Sequence, residues 1–303
     1  MKVADFELYR GLLYEKSGLV VTPDKSYLLD SRLTPIAKKW NFPSLDMMTM
    51  QLRAIPDQAL IKDIVEAMTT NETSFFRDTK PFQLFQEVVL PHMLQARATK
   101  KTVRIWCAAS SSGQEPYSLA MILKEKESQL KGWKFEITAT DLSEEILDQA
   151  RKGVYTQFEV QRGLPIQYLM KYFEQAGETW KLKDEIKNAV RFGVFNLLGD
   201  MARMGTFDVI FCRNVLIYFD EKTKAGVLEK MSRILEKDGF LFLGGAETVL
   251  GITDKFSPMP DKRGLYIKPE GQGQASQQPS SSLSSSTSPP PPPAGGSGLL
   301  KRF

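Results

Sequence analysis

The sequence predicts an α/β fold, a doubly wound parallel sheet preceded by a separate helical lobe. Three observations support this. From Lys101 onward, short apolar runs alternate with amphipathic helical stretches, the pattern of parallel strands joined by crossover helices. The first seventy residues instead carry apolar side chains at helical spacing only. The 303 residues, 42% apolar and 25% charged, are ordinary globular usage for about two domains.

Each element has its own local reason. In the helical lobe (residues 1–70), Phe6, Tyr9, Leu12 and Leu13 share the face of a first helix. Leu29, Leu33, Ile36 and Trp40 mark a second, and Arg32, Lys38 and Lys39 sit near one another on it as a basic group that suits an acidic partner. Ser44 caps a third helix carrying Leu45, Met48 and Leu52. Leu60, Ile61, Ile64, Val65 and Met68 mark a fourth. Residues 71–100 form a linker. The sheet unit spans 101–268, with strands expected at 103–108, 135–140, 190–195, 207–212, 240–244 and 265–267. Helices fit 117–128, 144–151 and 222–236. The interval 153–189 is too long for a simple crossover. With the turn-like EQAGETW it reads as an inserted subdomain containing a hairpin.

The last stretch, 269–303, is rich in Ser, Pro and Gly. It cannot bury enough apolar surface to offset the entropy of ordering, so it reads as a disordered tail. Composition also excludes function classes. Cys107 and Cys212 are far apart, so neither a disulfide framework nor a CxxC metal site is expected. The single histidine, His92, rules out a His-rich metal site. A net charge of +4 is too small and dispersed to argue for nucleic acid. No apolar run approaches a membrane span and the charged first ten residues do not read as a signal peptide, so a cytoplasmic, non-inserted protein is expected.

Open parallel sheets bind ligands at the carboxyl ends of their strands, so the residues following each strand are the candidates. After the first strand come Ala109-Ser110-Ser111-Ser112-Gly113 and then Gln114-Glu115-Pro116. Small residues permit close backbone approach, yet neither GxGxxG nor a P-loop GK[ST] is present. Glu115 would repel a pyrophosphate and neutralise a cation. After the second strand stands Asp141, which can accept from both hydroxyls of a ribose. Ser143 is better placed to cap the following helix and leaves Asp141 free. Together these suggest a nucleoside without a polyphosphate, for which S-adenosylmethionine is the usual cofactor. Asn196 and Leu197 follow the third strand, where the amide can read an adenine edge and the leucine can pack on its face. Arg213 and Asn214 follow the buried fourth strand. Ahead of the sheet, NETSFFRD (71–78) places two aromatics beside Arg77, a set able to close the mouth of a cleft.

NETSFFRD, WCAASSSGQEPYSLA, TATDLSEEIL, FNLL, FDVIFCRNVLIYFD and FLFLGGAE, in that order, resemble the CheR-type chemotaxis receptor methyltransferases over about residues 1–268. The resemblance implies a Rossmann-like class I methyltransferase sheet with an N-terminal all-helical domain and a small antiparallel β insert. It also implies transfer of the methyl of S-adenosylmethionine to glutamates of chemoreceptor cytoplasmic domains, and a monomer is expected. Carried over by position, Asn71, Thr73 and Arg77 match the linker that lines the cofactor. Glu115 matches the acid near its amino-acid part, Asp141 the ribose acid, Asn196 and Leu197 the adenine-side pair, and Arg213 and Asn214 the pair after the fourth strand. Tyr218 matches a tyrosine near the reactive end and, with Arg77, is the expected catalytic pair. The first loop departs from the family's Ser-Thr-Gly-Glu-Glu pattern in carrying Gln114, and the insert's turn at Gly177 is short.

A glutamate carboxylate is already ionised near pH 7, so the reaction needs no general base. No metal is expected. Two other readings are a methyltransferase acting on another substrate, which a base-poised residue would favour, and a non-catalytic S-adenosylmethionine-binding signalling module.

Overall fold

The structure is a computed structural model and describes residues 3–269; the expected tail beyond Lys268 lies outside them but for its first residue. Four helices come first: α1 (Val3–Ser17), α2 (Ser26–Lys39), α3 (Leu45–Ala54) and α4 (Gln58–Met68). Ser44 caps α3 by accepting from Met47 N, and Asp57 caps α4 by accepting from Ala59 N and Leu60 N. Their inner faces form one core of Phe6, Tyr9, Leu13, Leu29, Leu33, Met48, Leu52, Ile64 and Met68. The basic group on α2 is partly consumed by the fold. Arg32 donates to Met68 O and Thr69 O at 3.0 and 2.9 Å, and Lys39 pairs with Asp63 at 2.8 Å.

The linker is more ordered than its sequence suggests. It continues into α5 (Lys80–Leu84), a π-helical turn (Phe85–Val89) and α6 (Leu90–Ala96). Pro91 cannot donate a hydrogen bond, and the wider turn just before it accommodates that loss.

The sheet unit then runs β1 (Thr102–Ala108), α7 (Gln114–Glu125), β2 (Lys134–Asp141) and α8 (Glu144–Lys152). The insert contributes β3 (Val154–Thr156), α9 (Gln157–Gln161), α10 (Ile166–Tyr172), β4 (Phe173–Ala176), β5 (Thr179–Leu182) and α11 (Asp184–Lys187). The chain returns through β6 (Val190–Val194), β7 (Phe207–Cys212), α12 (Glu221–Ile234), β8 (Leu235–Leu243), β9 (Ser257–Pro258) and β10 (Leu265–Ile267).

The seven-stranded sheet has order β6-β2-β1-β7-β8-β10-β9. Its first five strands are parallel, while β10 pairs antiparallel with both β8 and β9. The strand order reverses between β1 and β7, which opens a crevice at their carboxyl ends. Alternate residues of β1 feed two cores. Ile105 and Cys107 join the side packed by α7, and Trp106 and Ala108 the side packed by α12. The insert is a three-stranded antiparallel sheet, β3-β5-β4, with short helices between its strands. The hairpin was legible, the helices were not.

At the start of β8 the structure departs from expectation. Helix α12 ends at Ile234 and the strand begins at Leu235, with a register shift against β7 spanning the polar residues 236–239. Arg97 holds this bulge, bonding Asp238 at 2.6 and 2.8 Å and Asp208 at 2.6 Å. A polar stretch anchored from across the sheet reads as a helix end in sequence.

Candidate active site

One pocket lies over the β1/β7 crevice. It is lined by Asn71, Thr73 and Arg77 from the linker, Ala109, Ser110, Ser111 and Glu115 after β1, and Asp141 after β2. Asn196 and Leu197 after β6 and Arg213, Asn214 and Tyr218 after β7 complete that wall. The structure therefore brings every expected site residue to one cleft of about 1030 Å³, its mouth included. Ser17, Leu19 and Val65 of the helical lobe also line it, so the pocket sits between the two lobes.

The loop after β1 turns sharply into α7. Ala109 and Ser111 have φ of +57° and +50°, and Gly113 has +91°. A Cβ at Gly113 would stand 3.0–3.2 Å from Tyr117, Ala150 and Phe192, so glycine is required by both conformation and space. Asp141 ties this loop to the next one. Its carboxylate accepts from Ser111 N at 2.8 Å and from Ser143 N at 3.1 Å. Ser143 caps α8 by accepting from Ile146 N, leaving Asp141 the remaining lone pairs for a ligand. Burial pushes the Asp141 carboxyl up, opposed by those main-chain donors.

Glu115, buried in the first turn of α7, pairs with Arg213 at 2.7 Å. Burial raises its pKa, and the Arg213 charge pulls it back. Arg213, with 2% of its side chain exposed, also donates to Asp78 at 2.6 Å and to Arg77 O at 3.0 Å. Arg77 donates to Glu72 O at 2.7 Å. Asn71 O accepts from Ser111 Oγ at 2.8 Å.

Asn196 is largely committed to the fold. Its Nδ2 donates to Lys16 O at 2.6 Å and its Oδ1 accepts from Leu198 N at 2.9 Å. Phe75 and Phe76 do not close the mouth of the cleft. Phe75 packs edge-on against Tyr155 and Phe173, and Phe76 against Phe82 and Tyr168, so the pair docks the linker on the insert.

Sequence reasoning missed Glu247. This buried carboxylate follows β8 and accepts from four main-chain donors: Gly244 N at 2.6 Å, Asn214 N and Val215 N at 2.9 Å, and Ile217 N at 3.3 Å. It shapes the turn that carries Asn214 and Tyr218. The available signal was an acid just past the carboxyl end of a fifth parallel strand. Ser110 was also passed over. It lines the pocket, and its buried Oγ has no partner among the described residues. An orphaned hydroxyl beside a small-residue loop, with a carboxylate at the next strand end, fits a nucleoside cofactor bearing polar groups.

His92 lies outside the pocket, packed edge-on against Phe240 and 4.0 Å from Asp238. Among the described residues no acidic, histidine or cysteine cluster could hold a metal ion, and no helix is long and apolar enough to cross a membrane.

Residues 71–265 match the family model described as CheR methyltransferase, SAM binding domain, and residues 4–69 match CheR methyltransferase, all-alpha domain. The chain is 40% identical over 267 residues to a chemotaxis protein methyltransferase of Vibrio parahaemolyticus, covering 87% of this chain and 96% of that one. It is 39% identical over 270 residues to chemotaxis protein methyltransferase 1 of Pseudomonas aeruginosa, covering 88% and 97%. It is 34% identical over 245 residues to a chemotaxis protein methyltransferase of Borreliella burgdorferi, covering 79% and 86%. With both family domains in order and the crevice built at the switch point of its sheet, the chain belongs to the CheR methyltransferase family and is an S-adenosylmethionine-dependent methyltransferase.

Proposed function

We propose that this chain esterifies glutamate side chains of chemoreceptor cytoplasmic domains, acting in chemotaxis as its relatives' names describe. The observation that carries this reading is the chemistry of the pocket wall. Its described lining holds carboxamides, hydroxyls, carboxylates, two arginines and one tyrosine, with no histidine, lysine or cysteine. Such a wall suits a substrate that is already a nucleophile. A glutamate carboxylate is ionised near neutral pH, whereas an amine would require deprotonation. Burial pushes both cysteine thiols well up, so neither offers a thiolate.

S-adenosylmethionine, when bound, supplies an electrophilic methyl on a cationic sulfur. Asp141 holds the ribose hydroxyls, and Leu197 packs on the adenine, with Asn196 beside it. Asn71, Thr73, Glu115 and Asn214 line the remainder of the cofactor. Arg77 presents a planar fork, one arm tied to Glu72 O and the others available to align the substrate carboxylate. Tyr218, which lines the same pocket, orients the same carboxylate. Ser17, Leu19 and Val65 roof the cleft and limit water access. Charge is neutralised as the carboxylate is methylated, so the protein's task is alignment and exclusion of water.

The test incubates the intact protein with methyl-labelled cofactor and receptor-containing membranes. Alkali-labile label released as methanol establishes carboxyl methyl esters. Alkali-stable label on the receptor would transfer the assignment to another nucleophile.

A further inference from the structure

Left-handed backbone among non-glycine residues gathers at this site. Phe76, Asp78 and Thr79 have φ of +50°, +67° and +50°, so three of the four residues 76–79 are strained, and Arg77 is the fourth. For a phenylalanine and a β-branched threonine this conformation persists only where surrounding contacts impose it.

Those contacts are identifiable. Phe76 N donates to Ser118 Oγ of α7 at 3.0 Å. Gly163 of the insert lies against Phe75 O so closely that a Cβ there would stand 2.2 Å away. Arg213 bonds the turn twice, at Arg77 O and at the Asp78 carboxylate, while its other terminal nitrogen is held by Glu115. Both terminal nitrogens of its guanidinium are thus spent on protein, while its buried Nε has no partner among the described residues. Glu115 fixes it to α7, and it fixes the turn. Asp78 does not line the pocket, and its carboxylate is half exposed.

We propose that Arg213 and Asp78 form a clasp that aims Arg77, making Asp78 a positioning residue that acts through Arg77 rather than on the cofactor. The proposal rests on the reading of Arg77 as the group that aligns the substrate carboxylate. A charge-assisted, two-point grip on one strained turn restricts where the following and preceding side chains project. Release of the grip lets the turn relax and Arg77 swing away from the reacting centre. Transfer then falls while the cofactor pocket keeps its shape.

Arg213 is a poor residue to vary, because its loss strands the buried Glu115 without a counter-charge. Asp78 is accessible. Asp78→Gly keeps the left-handed conformation and deletes the side-chain point of the grip, leaving only the bond to Arg77 O, and Asp78→Asn keeps both that conformation and an acceptor. In Asp78→Gly, turnover of receptor at saturating cofactor should fall about tenfold, with the Kd for S-adenosylhomocysteine held within about twofold. Asp78→Asn should recover most of the rate. In an Arg77→Ala background, Asp78→Gly should cost nothing further, since its effect is exerted through Arg77. Amide hydrogen exchange across residues 74–80 should accelerate in Asp78→Gly, a readout that needs no substrate.

Unchanged exchange, or parent turnover in Asp78→Gly, overturns the clasp. So does a full additional loss in the Arg77→Ala background. An equal loss of S-adenosylhomocysteine affinity assigns the pair to the cofactor instead. If the parent protein itself forms no esters on receptor membranes, the substrate reading fails, and the exchange measurement still decides the clasp.

Discussion

Asn196 Nδ2 donates to the main-chain oxygen of Lys16 at 2.6 Å, joining the loop after β6 to the last turn of α1. Beside it, Val20 N donates to Tyr218 O at 3.0 Å and Tyr14 Oη to Asp220 at 2.9 Å. The helical lobe is therefore bonded to two of the sheet loops that line the pocket. A residue expected to read the cofactor also fastens the roof above it.

Asn196→Ala should weaken cofactor binding without disrupting either core. Loss of two neutral hydrogen bonds amounts to about 0.5–1.5 kcal/mol each. Calorimetric titration with S-adenosylhomocysteine should show the loss. Unchanged affinity would mean that the roof does not contribute to holding the cofactor.

If Asp141 holds the ribose, cofactor binding should depend on pH. Its carboxyl is raised by burial, so its ionised form costs the free fold stability at neutral pH, and this cost disappears as pH falls. Ribose hydroxyls need the ionised acceptor. Affinity for S-adenosylhomocysteine should accordingly fall as the pH drops through a value above the ordinary carboxylate range of about 4. Asp141→Asn should bind more weakly, by about 1.5–3 kcal/mol for a lost charge-assisted bond, and show no such slope. A parallel pH profile in parent and variant would remove Asp141 from the ribose.

Glu247→Gln should reduce both stability and turnover. The amide can satisfy fewer of the four main-chain donors and turns its own NH₂ toward the rest, at about 1–3 kcal/mol for buried groups left unpaired. Thermal melting and turnover per folded molecule measure the two effects separately. Turnover unchanged at a temperature where the variant is fully folded would show that the turn carrying Tyr218 holds itself.

Gly163 and Gly177 provide a matched pair. Both have positive φ, +87° and +63°, but a Cβ at Gly163 meets Phe75 O whereas one at Gly177 meets nothing within 4 Å. Gly177→Ala should cost about 1 kcal/mol from backbone strain alone, and Gly163→Ala clearly more. Denaturant midpoints compare them. Equal costs would show that the insert yields at Gly163 without disturbing the linker.

Arg32 and Lys38 should separate by salt. Arg32→Ala removes two bonds to the carboxyl end of α4 and should lower melting temperature similarly at low and high salt. Lys38→Ala, on the exposed face, should instead slow receptor methylation mainly at low salt, because exposed charges are screened over about 10 Å at 0.1 M. A salt-independent rate loss in Lys38→Ala would reject steering by this face.

Periodicity and strand-end residues were enough to place the helical lobe, the five parallel strands and the strand-end residues of the crevice, whereas Asn71, Thr73 and Tyr218 were placed by the family resemblance. The reason is physical. Strand and helix periods are written locally, Ser44 and Ser143 cap within three residues of themselves, and the sheet's topology then carries each strand-end residue to the same edge. How those residues spend their hydrogen bonds was decided only by the tertiary structure. Arg213 meets Glu115 across 98 positions and Asp78 across 135, and Asn196 meets Lys16 across 180. Phe75 and Phe76 sit inside because an insert some eighty residues later supplies Tyr155, Tyr168 and Phe173 to pack them. Glu247 matters because four amides with no side-chain signature converge on it. A main-chain donor looks the same at every position of a sequence, so only the folded chain determines which carboxylate it finds.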